Sequence, residues 1–276
     1  MSDEDVSAHY SCAGLLAAIR DGVAKLGKTP ATVTTEDLAP VDEFHIGGRQ
    51  ASADFLGQLG LTPDQRVLDV GCGLGGTARF AATRYGSHIT GIDLTEENVT
   101  TGQAMCDWVG LGDRVSLRQG SALAMSFEAD TFDGAYMLHV GMNIDDKRQL
   151  CAEVHRVLRP GACFGIYDVM RTGEGDLAYP VPWAATSETS AVHSLDDYRA
   201  ALRAAEFTTT AERNRRDFAL KFFAKLKART TGARGPAPLG LHILMGDTTP
   251  RKIANMVTNI ASGTIAPVEI VARKGV

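Results

Sequence analysis

A glycine-rich turn and a carboxylate that follows it at a set distance could together hold a nucleoside. Gly71, Gly73 and Gly75 follow Val67, Leu68 and Val70, an interrupted apolar run short enough for a buried strand. Glycines permit positive φ and leave room for a ligand beside the main chain. Asp93 ends a second strand-like run about 20 residues later, where a carboxylate can bind both ribose hydroxyls. The pattern predicts a nucleoside site at the amino end of a helix.

Asp69 indicates that the ligand carries positive charge. The spacing of Gly71, Gly73 and Gly76 also fits the dinucleotide pattern, so the glycines alone do not select a cofactor. Asp69 stands two places before the first glycine, where a dinucleotide fold usually buries an apolar side chain, and burial of an unpaired carboxylate costs free energy. S-adenosylmethionine carries an ammonium and a sulfonium, which a nearby carboxylate attracts. The residues therefore favour this nucleoside, and a nicotinamide cofactor stays open as the alternative.

The acidic-x-Gly-x-Gly-x-Gly order resembles the first motif of the class I S-adenosylmethionine-dependent methyltransferases. Asp69, Gly71, Gly73 and Gly75 match it. The Leu-Arg-Pro-Gly sequence at residues 158–161 is also similar to this family, and residues 159–162 are expected to form a turn that leads into the fifth strand. The resemblance implies an enzyme that uses S-adenosylmethionine and releases S-adenosylhomocysteine.

The same resemblance implies where the nucleoside half of the cofactor binds. Asp93 and Leu94 would lie beside the ribose. The family commonly has Gly-Asp-Ala at the end of the third strand, with the acidic side chain on the adenine amino group. Ser121 replaces that residue here, so we expect the backbone groups of Ser121 and Ala122 to meet adenine. An ordinary strand-ending turn is the alternative.

The predicted fold class is α/β: a Rossmann-like, seven-stranded, mostly parallel sheet with helices on both faces, because strand and helix patterns alternate along the chain. We expect an N-terminal helical lid and cofactor-covering segment at residues 1–50. The methyltransferase core would comprise residues 51–216 and 264–276. A helical cap, residues 217–263, would be inserted before the last strand, and its apolar side could instead form a homodimer interface.

The N-terminal segment carries a second cluster of candidate residues. Ile46 precedes Gly47 and Gly48, whose backbone N–H groups could approach the methionine carboxylate, with help from Arg49. The arrangement is similar to the small-molecule methyltransferases that include sarcosine/dimethylglycine and phosphoethanolamine N-methyltransferases, in which an N-terminal lid covers the cofactor. Tyr10 would then be a catalytic residue of the lid, with a packing tyrosine at a helix start as the alternative.

The fourth strand is expected to end near His139. Open parallel sheets bind ligands outside the carboxyl ends of their strands, so His139, Met142 and Asn143 should lie in the cleft. We interpret His139 as a cofactor contact and as a catalytic candidate, with a packing role left open. A free amine attacks a sulfonium methyl group without needing a general base.

The acceptor should lie beneath the long connection at residues 171–193, which is rich in Gly, Pro, Ser and Thr. Trp183 at its centre either offers an aromatic face to a cationic or flat substrate or anchors the loop. The predicted substrate neighbours are Tyr10, His45, Met142, Asn143, Trp183 and His242.

Composition limits the remaining possibilities. The chain has 276 residues, 44% of them hydrophobic, and a net charge of −5 with dispersed basic residues, which favours a small-molecule partner over nucleic acid. Five cysteines without a Cys-x-x-Cys pair favour a reducing cytoplasm, and we assign no metal site. No signal segment and no apolar membrane span is recognisable.

The predicted function is methyl transfer from S-adenosylmethionine to a small molecule, with an amine nitrogen favoured as acceptor. O- or C-methylation is the alternative within this chemistry. A nicotinamide-dependent oxidoreductase and a non-catalytic S-adenosylmethionine-binding protein are the alternatives from other classes. The mechanism would be an in-line displacement in which protein groups orient the reactants and exclude water.

Overall fold

A seven-stranded sheet in the order β3-β2-β1-β4-β5-β7-β6 forms the centre of the protein. The computed structural model describes residues 3–231 and 235–276. Its strands are β1 (Arg66–Val70), β2 (His88–Asp93), β3 (Val115–Gln119), β4 (Phe132–Leu138), β5 (Leu158–Arg171), β6 (Phe207–Asn214) and β7 (Ile265–Lys274). β7 runs antiparallel to both neighbours, and the other pairs are parallel. The predicted Rossmann-like sheet is confirmed.

The helices cover both faces of this sheet and both sides of its cleft. They are α1 (Asp3–Tyr10), α2 (Leu15–Lys25), α3 (Thr35–Asp42), α4 (Gly48–Leu56), α5 (Gly76–Tyr85), α6 (Glu96–Trp108), α7 (Lys147–Val157), α8 (Leu195–Ala204), α9 (Arg216–Thr230), α10 (His242–Met245) and α11 (Thr249–Ala261). Successive residues of β1 point to opposite faces, so Val67 packs in the apolar cluster with α4, α5 and α6, whereas Leu68 packs in the cluster with α7 and α8. Within residues 3–231 and 235–276, no helix combines the length and apolar character of a membrane span.

One predicted turn proved to be part of a strand. Residues 159–162 were expected to form a separate turn before the fifth strand, but β5 already begins at Leu158, which pairs with Phe132. The register then shifts, and the next pair is Gly134 with Cys163. Between these two pairs β5 has more residues than β4, and the excess forms a bulge. The Arg-Pro-Gly sequence therefore lies inside the strand.

The N-terminal helices are attached to the core by polar contacts. Gly14 precedes α2 and has no side chain to cap its first turn, so the carboxylate of Glu97 on α6 accepts the N–H groups of Cys12 at 2.9 Å and Leu15 at 3.2 Å. Asp42 at the end of α3 forms a buried ion pair with Arg79 of α5, with an Nη2–Oδ2 distance of 2.6 Å. The pair fixes the chain just before Ile46 to the helix that follows the glycine turn.

The predicted cap packs in two separate places. α9 and α11 share an apolar cluster with the 171–193 connection, in which Phe223, Met256 and Trp183 are buried. Leu239, just before α10, packs instead in the cluster around Leu15 of α2. The division of the chain at residues 217 and 263 stays a prediction.

Candidate active site

The glycine turn after β1 is open on one side only. Gly71, Gly73 and Gly75 have φ of 70°, 51° and 74°, values that disfavour other residues. A Cβ at Gly71 would overlap the side chain of Val140, whereas a Cβ at Gly73 would meet no atom within 4 Å. The turn is therefore packed at its start against Val140, just after β4, and leaves free space at Gly73 for a ligand.

Asp93 is fixed at the edge of this space. Its Oδ2 accepts the Gly73 N–H and its Oδ1 accepts the Thr95 N–H, both at 2.9 Å. Burial raises the pKa of Asp93, and these two N–H groups lower it. The side chains of Asn98 and Thr95 also lower the pKa, so the carboxylate is held in one orientation at the open side of the turn.

Asp69 is a buried carboxylate whose charge is not balanced. It is 3% exposed, and its Oδ2 has no hydrogen-bond partner among the described residues. Burial, with the nearby charge of Asp93 and Glu43, raises the pKa of Asp69 to about 8, and the neighbouring Tyr136 hydroxyl opposes this rise. A cationic group beside Asp69 would stabilise the ionised form, so the site fits an ammonium or sulfonium ligand.

The backbone of Ile46 is held by two side chains at the carboxyl ends of β4 and β5. Its N–H donates to Nε2 of His139 at 3.4 Å, and its carbonyl accepts the Tyr167 hydroxyl at 2.9 Å. The backbone N–H of His139 in turn donates to the backbone carbonyl of Tyr167 at 2.7 Å. These bonds position Gly47, which precedes α4, and Gly48, its first residue, beside the cleft. A Cβ at Gly48 would meet no atom within 4 Å.

The contact with Ile46 also defines the protonation state of His139. Burial lowers the pKa of His139 well below its usual value, so the ring is neutral. Because Nε2 accepts a hydrogen bond, we assign the ring proton to Nδ1, which has no partner among the described residues. His139 therefore lies at the predicted place but uses its basic nitrogen to hold the N-terminal segment.

His45 and Arg49 are both engaged away from the open cleft. His45 Nε2 lies 3.2 Å from the Gly48 carbonyl and 3.1 Å from Ser52 Oγ, and burial lowers the pKa of His45 to about 4. The guanidinium of Arg49 lies 2.9 Å from Glu43 Oε1. Assistance by Arg49 in anion binding at Gly47 and Gly48 stays a prediction, and Glu43 lies beside its guanidinium. The role of His45 beside the substrate stays a prediction.

Tyr10 reaches across the cleft from α1 to the turn after β4. Its hydroxyl donates to Asn143 Oδ1 at 3.2 Å. Asn143 Nδ2 donates to the Val140 carbonyl at 3.2 Å, which fixes the amide orientation and leaves Oδ1 to accept. Burial raises the pKa of Tyr10, and the charges of Asp93 and Asp168 add to this rise. Tyr10 is therefore a neutral phenol whose proton is committed to Asn143.

Three other predicted substrate neighbours lie in different surroundings. Met142 and Trp183 are buried in one apolar cluster, and Trp183, 2% exposed, donates from Nε1 to Ser190 Oγ at 2.9 Å. Trp183 thus packs as an anchor of its loop. His242 begins α10, and no hydrogen bond in the described part of the chain joins it to Tyr10. Substrate contact by these residues stays a prediction.

The ends of β2 and β3 bring the remaining cofactor candidates together. The Gly120 N–H donates to the Asp93 carbonyl at 3.0 Å, and the Gln119 side chain donates to the Leu94 carbonyl at 3.1 Å. Ser121 Oγ accepts the Leu123 N–H at 3.2 Å. The serine hydroxyl therefore stabilises its own turn, and the Ser121 and Ala122 backbone lies on the same edge as Asp93.

Tyr167 and Thr95 were missed by sequence reasoning. Tyr167 lies inside an apolar strand, where an aromatic residue normally indicates core, and its contact with Ile46 spans 121 residues. Thr95 acts through its backbone N–H, which any residue provides. The only available signal for Tyr167 was its place near the carboxyl end of a predicted strand.

Comparison with known proteins identifies the central segment. Residues 67–161 match the family model described as a methyltransferase domain. A sterol 24-C-methyltransferase of Gibberella zeae is 34% identical over 114 residues, which cover 41% of this chain and 30% of that protein. The chain thus spans about a third of the length of the curated relatives it matches.

Solved structures extend the likeness to the whole fold. A phosphoethanolamine N-methyltransferase of Haemonchus contortus, in complex with S-adenosyl-L-methionine, has a TM-score of 0.74 at 19% identity and covers 94% of this chain and 60% of that chain. A geranyl diphosphate C-methyltransferase of Streptomyces coelicolor has a TM-score of 0.70 at 18% identity, with coverage of 99% and 97%. The protein therefore contains a methyltransferase domain in a methyltransferase fold, and the predicted resemblance is confirmed.

Replacement of Tyr167 by Phe should weaken the attachment of the N-terminal segment. The Ile46 carbonyl would lose its buried donor, so we expect the free energy of unfolding to fall by about 1–3 kcal/mol in urea titrations. Tyr85→Phe is the control, because its half-buried hydroxyl has no hydrogen-bond partner among the described residues. Equal losses in the two variants would contradict the assigned bond.

Proposed function

We propose that this protein transfers a methyl group from S-adenosylmethionine to a small-molecule acceptor, and that the acceptor atom is an amine nitrogen. The observation that carries the proposal is the pairing of two carboxylates around one open glycine turn. Asp93 is oriented by Gly73 and Thr95 to accept two hydroxyls, and Asp69 lies buried without a compensating charge. A ligand with a ribose at one end and a cation at the other would match both carboxylates.

The residues that would hold the cofactor surround this turn. Asp93 and Leu94 would lie at the ribose, and the backbone of Ser121 and Ala122 at the adenine. The remaining set would hold the methionine half: Ile46, Gly47, Gly48, Asp69, Gly71, Gly73, Gly75 and His139. The bound cofactor supplies an electrophilic methyl group on a sulfonium. The chain itself contributes orientation and exclusion of water.

The Tyr10–Asn143 pair supports a heteroatom acceptor. Since the Tyr10 proton is donated to Asn143, the phenol oxygen has only lone pairs left to offer. Such an oxygen can accept a hydrogen bond from an N–H or O–H of the acceptor and thereby orient its lone pair. An acceptor carbon offers no comparable donor. We therefore place N-methylation ahead of C-methylation.

The state of His139 supports an amine over a hydroxyl. A hydroxyl acceptor must lose its proton as it attacks, which calls for a base within reach. The basic nitrogen of His139 is occupied by the Ile46 N–H, and burial lowers the pKa of the ring. A free amine attacks without that help. His139 would act by holding the cofactor-covering segment, with Tyr10 as the residue that touches the acceptor.

The setting of the reaction follows from composition and thiol state. All five cysteines are free thiols, and four of them are buried, which supports a reducing cytoplasm. A net charge of −5 with dispersed basic residues supports a small metabolite as partner instead of a nucleic acid. A homodimer through the predicted cap stays a prediction, which light scattering would test.

Ligand binding followed by a transfer assay tests the function. S-adenosylmethionine and S-adenosylhomocysteine should raise Tm, whereas NAD should not, because a ligand stabilises the fold that binds it. Protein incubated with methyl-labelled S-adenosylmethionine should label phosphoethanolamine or amines from a metabolite extract in preference to geranyl diphosphate. Stabilisation by NAD alone would indicate the oxidoreductase, and binding without any labelled product from the extract would indicate a sensor.

Asp93→Ala should weaken S-adenosylmethionine binding by more than about tenfold, since two hydrogen bonds to a charged group are lost. Isothermal titration calorimetry measures this directly. Asp113→Ala, at an exposed carboxylate outside the cleft, is the matched control and should bind like the wild type. Unchanged affinity in Asp93→Ala would remove the ribose assignment.

Binding should also depend on pH through Asp69. The carboxyl has a pKa of about 8 in the ligand-free protein, and a cationic ligand requires its ionised form. Binding must therefore release a proton below pH 8, and affinity should fall by up to about tenfold per unit as pH drops from 8 to 6. Calorimetry of Asp69→Asn should show weaker binding with a flatter pH profile. If the affinity of the wild type and of Asp69→Asn changed with pH in the same way, another group would be the one that titrates.

A further inference from the structure

Three buried polar side chains lie beneath the turn that presents Asn143. Lys147 begins α7, Asp168 lies on β5 and Tyr198 lies on α8. Lys147 is 4% exposed, and the other two are fully buried. Burial of an ammonium and a carboxylate costs several kcal/mol per ion unless hydrogen bonds compensate. The hydrogen-bond partners of these three side chains therefore indicate their role.

Asp168 and Tyr198 pack directly beneath the turn at residues 141–144. Asp168 Oδ2 accepts the Tyr198 hydroxyl at 2.6 Å, and Oδ1 accepts the Val169 N–H at 2.8 Å. A Cβ at Gly141 would overlap both the Tyr198 hydroxyl and Asp168 Oδ2. The backbone of the turn thus rests directly on this pair, and the position admits only glycine.

Lys147 connects the turn to the long loop. Its ammonium donates to the carbonyls of Gly141 at 2.9 Å and Ala191 at 3.1 Å, and also to the Ile144 carbonyl. All three N–H groups are used on backbone oxygens. The Ala191 N–H donates in turn to the Met142 carbonyl at 2.9 Å. One buried cation therefore joins two chain segments, residues 141–144 and residues 184–191, which we call the acceptor wall.

The acceptor wall is distinct from the parts that would hold the cofactor. It carries Asn143, which accepts the Tyr10 hydroxyl, and it continues into the loop anchored by Trp183. The glycine turn and Asp93 lie on the other side of β4, in the order β2-β1-β4-β5. A change in the wall should therefore affect the acceptor more than the cofactor.

We propose that Lys147, Asp168 and Tyr198 are positioning residues that hold the acceptor wall in the geometry required for methyl transfer. The proposal rests on the proposed function, because the wall faces an acceptor only if the adjoining cleft holds S-adenosylmethionine. Lys147 acts through the carbonyls of the two segments, and Tyr198 acts through Asp168. None of the three touches the reacting atoms.

Hydrogen exchange of the full-length protein tests the wall without an acceptor. In Lys147→Met, we expect amide exchange in peptides covering 141–144 and 184–191 to accelerate by about tenfold or more, because local opening no longer breaks three bonds. Lys274→Met is the matched control. That lysine also donates to carbonyls, those of His155 at 2.9 Å and Leu158 at 2.6 Å, but at the opposite end of β5. The Lys274→Met variant should leave amide exchange in the acceptor wall unchanged.

Kinetics separate positioning from general destabilisation. With the acceptor found by the transfer assay, Lys147→Met should raise the acceptor KM by about fivefold or more and keep the S-adenosylmethionine Kd within about twofold of wild type. A merely structural loss would weaken both ligands together. Tyr198→Phe removes one hydroxyl only and should show the same pattern to a smaller extent, which keeps the test decisive if Lys147→Met does not fold.

The outcomes distinguish this proposal from the one on which it rests. Unchanged wall exchange in folded Lys147→Met, or in Tyr198→Phe when the first variant does not fold, overturns the positioning role. A parallel loss of cofactor and acceptor binding also overturns it. Failure of the wild-type protein to bind S-adenosylmethionine overturns the proposed function instead, and the exchange comparison still reports on the wall.

Discussion

The hydrogen bond from the Gly73 N–H to the Asp93 carboxylate links the two strand ends on which the site is built. It joins the turn after β1 to the last residue of β2, and the Thr95 N–H completes the orientation of the same carboxylate. The positive φ of Gly73 directs its N–H towards Asp93 while leaving open space on the other side. If this geometry were lost, the glycine turn and the Asp93 carboxylate would no longer belong to one cleft.

The N-terminal segment completes the cleft through contacts of a different kind. Asp42 and Arg79 form a buried ion pair, and Ile46 is held by His139 and Tyr167 through both of its backbone groups. Hydrogen bonds to the backbone do not depend on the side chain of residue 46. The backbone at Ile46 is therefore held by His139 and Tyr167, and the buried Ile46 side chain adds apolar packing in the cluster that contains Met142 and Trp183.

The sequence was sufficient for features that depend on local pattern. The strand at β3, the helix at α6 and the glycine turn follow from periodicity and glycine spacing, and the parallel sheet follows from their alternation. Contacts between distant segments could not be predicted. From the sequence, Tyr167 is a core residue of a strand, and its hydrogen bond to Ile46 becomes visible only in the folded chain. Lys147 is likewise an ordinary lysine at a helix start, and only the fold brings three carbonyls to its ammonium.

His139 shows the same limit at a position that the sequence does place. Its place at the end of β4 follows from strand length, but the state of its nitrogens depends on a partner 93 residues away. The matched methyltransferase domain covers residues 67–161, so it includes His139 and Asn143 but excludes both Tyr10 and Trp183.

Helix α11 binds the loop at residues 171–193 through two side-chain amides. The Asn259 side-chain amide bonds both the N–H and the carbonyl of Ala178, and Asn255 donates to the Pro180 carbonyl at 2.9 Å. An amide side chain here imitates a neighbouring strand, so main-chain atoms specify the path of residues 178–180, whereas the buried Trp183 fixes the part that follows. Side chains at positions 178–180 can then change without loss of these bonds, so this stretch can diverge in sequence while it keeps its path.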